Sequence, residues 1–276
     1  MPSSRVFGLE FVNQGITPFG VLPSSLRMLD GRKVMVILNF IKQRFFLNFE
    51  SHTNSYKMKQ LILLFIACVC IPAFAQKEAV YEHIEWTNNW LESAGKTDKP
   101  HVLMIGNSIA MGCYPIVKEA LGDNAYVSRL CNSKCIGDPA LWDDLKLVLK
   151  YHRFDVIQFN NGLHGYGYSE ETYEQYFPKY LKLIKKYQPQ AKLIWVTSTP
   201  TWTPDIKQHT DYFERTKIRN KIALKYIIKA GIEVNDIWST ALAHPEYFEG
   251  GDGVHPNKDG WKALGSQEAA VIEKYL

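Results

Sequence analysis

The stretch His101-Val102-Leu103-Met104-Ile105-Gly106-Asn107-Ser108 decides the reading of this chain. An uninterrupted apolar run is what a strand buried on both faces requires, and the small polar residues after it open a turn and a helix. The same alternation continues downstream. Strands are predicted over 101–105, 126–130, 155–159, 192–196 and 232–237, and helices over 113–121, 141–149, 213–229 and 261–276. Between the third and fourth strands, Tyr173, Tyr176, Phe177, Tyr180, Leu181 and Ile184 recur at helical spacing behind Ser169, a predicted N-cap. Pro178 is expected to kink or divide that helix. Strands alternating with amphipathic helices specify an α/β fold with a central parallel sheet of about five strands. Open sheets of this kind hold their ligands at the carboxyl ends of the strands, where Ser108, residues 160–165 and residues 197–204 all fall.

A second motif, Asp252-Gly253-Val254-His255, stands just before the last predicted helix. A serine hydroxyl is a poor nucleophile until a base takes its proton, and an imidazole base needs an acid to fix its tautomer. Ser108, His255 and Asp252 are therefore the candidate nucleophile, base and acid of a Ser-His-Asp triad. Each has a plainer reading: Ser108 can cap a helix, His255 can be a turn histidine beside Pro256, and Asp252 can be half of an Asp-Gly turn.

Gly106-Asn107-Ser108 resembles the Gly-Asp-Ser block of the SGNH (GDSL-like) hydrolases, and Asp252-Gly253-Val254-His255-Pro256-Asn257 resembles their terminal Asp-x-x-His block. The resemblance spans residues 101–276. It implies a three-layer α/β/α sandwich of the SGNH-hydrolase or flavodoxin-like kind, and ester hydrolysis by Ser108, His255 and Asp252 without a cofactor. Two intermediate blocks supply oxyanion donors in that family. Asn132-Ser133-Lys134-Cys135-Ile136-Gly137 fits the second, which makes the Gly137 N–H a donor beside that of Ser108. The third is usually Gly-x-Asn-Asp, whereas this chain reads Asn160-Asn161-Gly162-Leu163-His164-Gly165. His164 takes the place of the asparagine and Gly165 that of the aspartate. A ring N–H of His164 can donate to an oxyanion, with Asn161 or Asn160 as alternatives.

The full chain is basic, at a formal net charge of +4 over 276 residues, but the excess lies at the front. Met58-Lys59-Gln60 precedes the apolar run 61–71, and Ala73-Phe74-Ala75 follows it. A basic start, a short apolar core and an Ala-x-Ala exit form the pattern of an export signal over 58–75. The run is too short to span a bilayer, which takes about 20 residues, so no stable membrane insertion is expected after processing. Residues 1–57 read as a non-native or disordered extension, and residues 76–276 as one hydrolase domain, periplasmic or secreted. Anchoring of a lipid at Cys68 is the alternative localisation. The segment 1–75 carries 8 of the 32 Lys and Arg but 3 of the 28 Asp and Glu, so the remainder is near neutral and no nucleic-acid partner is indicated. Oligomeric state leaves no mark in the sequence.

Cys113, Cys131 and Cys135 remain in that domain, and export leaves a Cys131–Cys135 bridge open beside free thiols. The spacing of His244, Asp252 and His255 does not favour a metal. Trp202, flanked by Pro200 and Pro204 after the fourth strand, reads either as a sugar-stacking face with Tyr166 and Tyr168 or as core, and Trp238 as core. The resulting expectation is an exported serine esterase for small acyl groups, acetyl foremost, on a carbohydrate. The alternatives are a lipase- or thioesterase-type acyl hydrolase and a non-catalytic glycan-binding protein on the same fold.

Overall fold

The computed structural model describes residues 79–276, and the predicted extension, export signal, Cys68 and Cys70 lie outside the described residues. The strands are β1 (Thr87–Trp90), β2 (His101–Gly106), β3 (Tyr126–Asn132), β4 (Val156–Phe159), β5 (Lys192–Val196) and β6 (Glu233–Asn235). The helices are α1 (Ser108–Leu121), α2 (Pro139–Tyr151), α3 (Glu170–Tyr187), α4 (Tyr212–Lys229), α5 (Ile237–Ala243) and α6 (Lys258–Glu273). They build one sheet in the order β1-β3-β2-β4-β5-β6. Five strands are parallel, as expected, and β1 adds an antiparallel edge along β3 that the sequence does not announce.

Side chains alternate between the two faces of the sheet and divide the core. On one face Leu103, Ile105, Ile157, Phe159 and Trp195 meet α2, α3 and α4 through Leu145, Phe177, Tyr180 and Ile227. On the other, Val102, Met104, Val127 and Val196 meet α1, α5 and α6 through Val117, Ala241, Leu264 and Ile272. This is the three-layer α/β/α sandwich. Truncating a fully buried aliphatic such as Leu264 in such a core costs about 2–5 kcal/mol.

Pro178 does not divide its helix: α3 runs unbroken through it. The N–H that proline lacks would have bonded within the preceding turn, and Pro178 stands on the exposed face of the helix. Helix α1 begins at Ser108, earlier than predicted, because Asn107 rather than Ser108 caps it. Asn107 Oδ1 accepts from the Ile109 N–H at 2.9 Å. Two close approaches lock α1 against α6. Gly112 lies against the Trp261 indole, and Gly265 against Ile116. The helix that carries Ser108 is thereby fixed to the helix that follows His255.

Candidate active site

Ser108 opens α1 immediately beyond the carboxyl end of β2. Its hydroxyl and N–H thus sit at a helix N-terminus, where unpaired backbone amides and the helix dipole favour negative charge. His255 Nε2 lies 2.8 Å from Ser108 Oγ. On the other side of the ring, Nδ1 lies 2.7 Å from Asp252 Oδ2. The second oxygen of Asp252 accepts the backbone N–H groups of Val254 at 2.9 Å and His255 at 2.8 Å. Burial pushes the Asp252 carboxyl up, but the hydrogen bonds from His255 and Val254 outweigh it and hold the group below its ordinary value. The His255 and Asp252 side chains are 45% and 56% exposed, so this row of three groups opens directly to solvent.

The loop carrying the pair is anchored on both sides. Asn257 caps α6 through Oδ1 and donates its amide to the Glu246 carbonyl at 2.8 Å. The Trp202 N–H donates to the Gly253 carbonyl at 2.8 Å. Trp202 itself is 8% exposed, with its indole against the His209 ring at 4.0 Å. It offers no face to a sugar and instead braces the Asp252–His255 loop, which is the core reading of this residue. Tyr168 is likewise buried, and Trp238 is half-buried against Phe213. Tyr166 differs: it is 44% exposed and packs on the exposed Tyr212 with ring centroids 4.0 Å apart.

The segment after β4 forms the third corner. Its backbone joins the first through the Asn160 N–H, which donates to the Ile105 carbonyl at 2.9 Å. The Asn160 amide donates to the Val196 carbonyl at 2.7 Å and to Ser198 Oγ at 3.0 Å, so both its hydrogens serve the scaffold. Asn161 turns to the loop after β3, accepting from the Ile136 N–H at 3.1 Å and donating to the Lys134 carbonyl at 2.8 Å. That orientation makes Asn161 a strut between two loops. Gly137 stands on the same β3 loop, packed against Tyr168 and Thr172, with its N–H beside the Cys135 thiol.

His164 has a partner that the sequence did not suggest. Its Nδ1 lies 2.8 Å from Glu82 Oε2, and the other Glu82 oxygen accepts the Gly165 N–H at 2.6 Å. Gly165 has φ +84, and a side chain there would strike the Cβ of Cys135, so the family's aspartate has no room at this position. The loop carbonyls, which no strand satisfies, are collected by two arginines. Arg219, 0% exposed, donates to the carbonyls of Gly162, His164, Gly165 and Tyr168. Arg215 donates to those of Tyr166 and Gly165, and both arginines pair with Glu170.

Cys113, Cys131 and Cys135 are separate buried thiols, so no bridge joins Cys131 to Cys135. His244 faces Glu246, away from any set with Asp252 and His255. Among the described residues no group of three or more His, Cys, Asp or Glu is placed to hold a metal.

No family profile matches the chain, and no curated protein matches it in sequence. Solved structures do match in fold. An acetyl xylan esterase, AlAXEase, superposes with a TM-score of 0.52 at 17% identity, covering 62% of this chain and 99% of that one. A carbohydrate acetylesterase family member from Sinorhizobium meliloti gives 0.50 at 18% identity, covering 64% and 99%. A GDSL-like lipase from Bacteroides thetaiotaomicron gives 0.49 at 18% identity, covering 64% and 89%. The chain has the SGNH (GDSL-like) hydrolase fold.

Proposed function

We propose that this protein is an exported serine esterase that removes small acyl groups, acetyl foremost, from a carbohydrate. One observation carries the reading: Ser108 Oγ, His255 and Asp252 form a continuous hydrogen-bonded row. With Nδ1–H donated to Asp252, the free lone pair of His255 faces the serine hydroxyl. His255 then takes the Ser108 proton as Oγ attacks the ester carbonyl, and Asp252 stabilises the imidazolium that forms. The developing oxyanion is met at the N-terminus of α1 by the Ser108 N–H, with Gly137 N–H and His164 as further donors. His255 returns its proton to the leaving alcohol, and water activated by the same imidazole cleaves the acyl-enzyme.

The acetyl and carbohydrate parts draw on separate support. Two structures that share the fold are, by name, an acetyl xylan esterase and a carbohydrate acetylesterase family member. The open setting of His255 and Asp252 suits a short acyl group on a bulky carrier. The exposed Tyr166–Tyr212 pair offers apolar ring faces of the kind that pack on sugars. Export rests on the 58–75 pattern alone.

A fluorophosphonate probe tests the core of the proposal. It is expected to label the purified protein on Ser108, and nitrophenyl acetate turnover is expected to fall by orders of magnitude in Ser108→Ala and His255→Ala. Full turnover in a folded Ser108→Ala protein would remove the nucleophile. Glycan binding without labelling would leave a non-catalytic binding protein. Expression from Met58 in a Gram-negative host, with N-terminal sequencing, is expected to give a product starting at or near Gln76. A lipid mass on Cys68 would instead mark an anchored protein.

A further inference from the structure

Gln158 interrupts the apolar face of the sheet that meets α1, α5 and α6. Its neighbours along and across the strands, Val156, Met104 and Ile194, all belong to that core. Opposite it on α6 stands Glu268, whose Oε2 accepts from Gln158 Nε2 at 2.7 Å. The two residues are 2% and 1% exposed. Together they line a small cavity of about 10 Å³, the room that one water molecule needs. Its other walls come from β2, the start of α1, the carboxyl ends of β4 and β5, and the start of α5.

The polar side chains in these walls have protein partners at all but two atoms. Asn107 Oδ1 accepts the Ile109 N–H, and the Asn160 amide donates to the Val196 carbonyl and to Ser198 Oγ. Thr197 Oγ1 donates to Asp236 Oδ1 and accepts the Trp238 N–H. The two exceptions are Gln158 Oε1 and Thr199 Oγ1, which are buried and have no hydrogen-bond partner among the described residues. A polar atom sealed from solvent without a partner is costly, and a cavity with polar walls holds water where an apolar one stays dry. The amide oxygen only accepts, whereas the hydroxyl both donates and accepts. Water satisfies both: one of its hydrogens serves Gln158, and its oxygen or its second hydrogen serves Thr199.

We propose that this cavity is a water-binding site, in which a single molecule donates to Gln158 Oε1 and bonds Thr199 Oγ1, tying β4 to the loop that leaves β5. Thr199 opens the segment that reaches Trp202, whose N–H holds the Gly253 carbonyl. The water would therefore hold the near end of the segment whose far end braces the Asp252–His255 loop. The competing arrangement is dry. In it Glu268, whose carboxyl burial raises to about 8, turns its O–H to Gln158 Oε1 in a cyclic acid–amide pair. That pairing leaves Thr199 Oγ1 unmet, so Thr199 tells the two arrangements apart.

The experiment is a crystal structure of the full-length protein that shows ordered water, with urea unfolding of wild type and Thr199→Val at pH 6. An ordered water is expected within about 3.2 Å of both Gln158 Oε1 and Thr199 Oγ1. Thr199→Val keeps the shape of the side chain and removes a partner of that water. The unfolding equilibrium constant is then expected to rise about fivefold, the worth of one ordinary hydrogen bond. In the dry arrangement the same substitution removes an unmet hydroxyl, and the constant falls. A wild-type cavity without water, or with a water that does not reach both atoms, would overturn the proposal. So would a Thr199→Val protein as stable as wild type or more so. The wild-type crystal structure decides the matter even where the variant does not fold.

Discussion

Trp202 and Gly253 are in backbone contact from both directions. The Trp202 N–H donates to the Gly253 carbonyl at 2.8 Å, and a Cβ on Gly253 would collide with the Trp202 carbonyl oxygen. Gly253 also holds φ +77, in the left-handed region. Only glycine meets both demands, and it stands between Asp252 and His255.

Gly253→Ala is therefore expected to displace the acid–base loop. Backbone strain of this kind costs about 1–3 kcal/mol, and a domain of this size loses roughly 2–4 °C in Tm for each kcal/mol. Turnover should fall more steeply than stability, since His255 needs its 2.8 Å approach to Ser108. Thermal unfolding followed by circular dichroism, alongside nitrophenyl acetate turnover, checks both. Wild-type values for both would show that this contact does not hold the loop.

Arg219 gives a second test, on stability. Its removal leaves the carbonyls of Gly162 and His164 without this donor in a buried setting, while those of Gly165 and Tyr168 keep Arg215. Each buried orphan costs about 1–3 kcal/mol, so Arg219→Ala should lose at least ~2 kcal/mol in urea unfolding. Arg219→Lys keeps the charge but cannot reproduce the planar fork, and should fall between the two. A lysine variant as stable as wild type would contradict the account of the loop.

These two features mark where the sequence was readable and where it was not. The runs 102–105 and 192–196 announce buried strands because pattern and burial coincide there. Thr87-Asn88-Asn89-Trp90 has no apolar alternation, and β1 exists because the edge of β3 has backbone groups to pair. The short helix α5 is likewise set by its surroundings: Asp236 caps it, and Trp238 N–H donates to Thr197 Oγ1. Ser108, Asp252 and His255, which the fold brings into one hydrogen-bonded row, could be singled out because a serine after a buried strand and an Asp-x-x-His block are short local patterns. Glu82, Arg215 and Arg219 sit in polar stretches where a carboxylate or guanidinium usually faces water, and their roles come from contacts far apart in the chain. Trp202 was ambiguous because an aromatic between prolines can brace a loop as readily as it can meet a ligand.

Glu268 predicts how stability varies with pH. It is fully buried in α6, accepts from Gln158 Nε2 at 2.7 Å, and burial raises its carboxyl from 4.5 to about 8. Below pH 4.5 both folded and unfolded chains hold this proton, so the group has no effect. Between 4.5 and about 8 the unfolded chain releases it while the folded one does not, so stability falls as pH rises and then levels off. Glu268→Gln should remove this loss, with a gain over wild type that grows from pH 5 to pH 8 and is at most on the order of 5 kcal/mol. Urea unfolding at pH 5, 7 and 9 measures it. A gain that does not change with pH would show that Glu268 does not retain its proton.

The cysteines predict a chemical silence. Cys113, Cys131 and Cys135 are buried thiols, and burial pushes Cys131 up to about 12. A thiolate is the reactive form, so a maleimide should fail to modify these three in the folded protein and should modify all three in urea. Rapid labelling of Cys131 under native conditions would mean that the β1 edge opens easily.

The segment that brings Glu82 to His164 lies ahead of the first parallel strand, joined to it by the exposed stretch 95–98. A protease cut there would leave Ser108, His255 and Asp252 on one fragment and the carboxylate paired with His164 on another. The smaller piece would be held by the β1–β3 ladder, by the Lys118–Glu92 and Lys134–Glu85 ion pairs and by the Glu82 hydrogen bonds to His164 and Gly165. Ser108 and its hydrogen bond to His255 would lie on one fragment after such a nick. A recombinant protein trimmed to the parallel core would lack that carboxylate from the start while looking complete by its motifs.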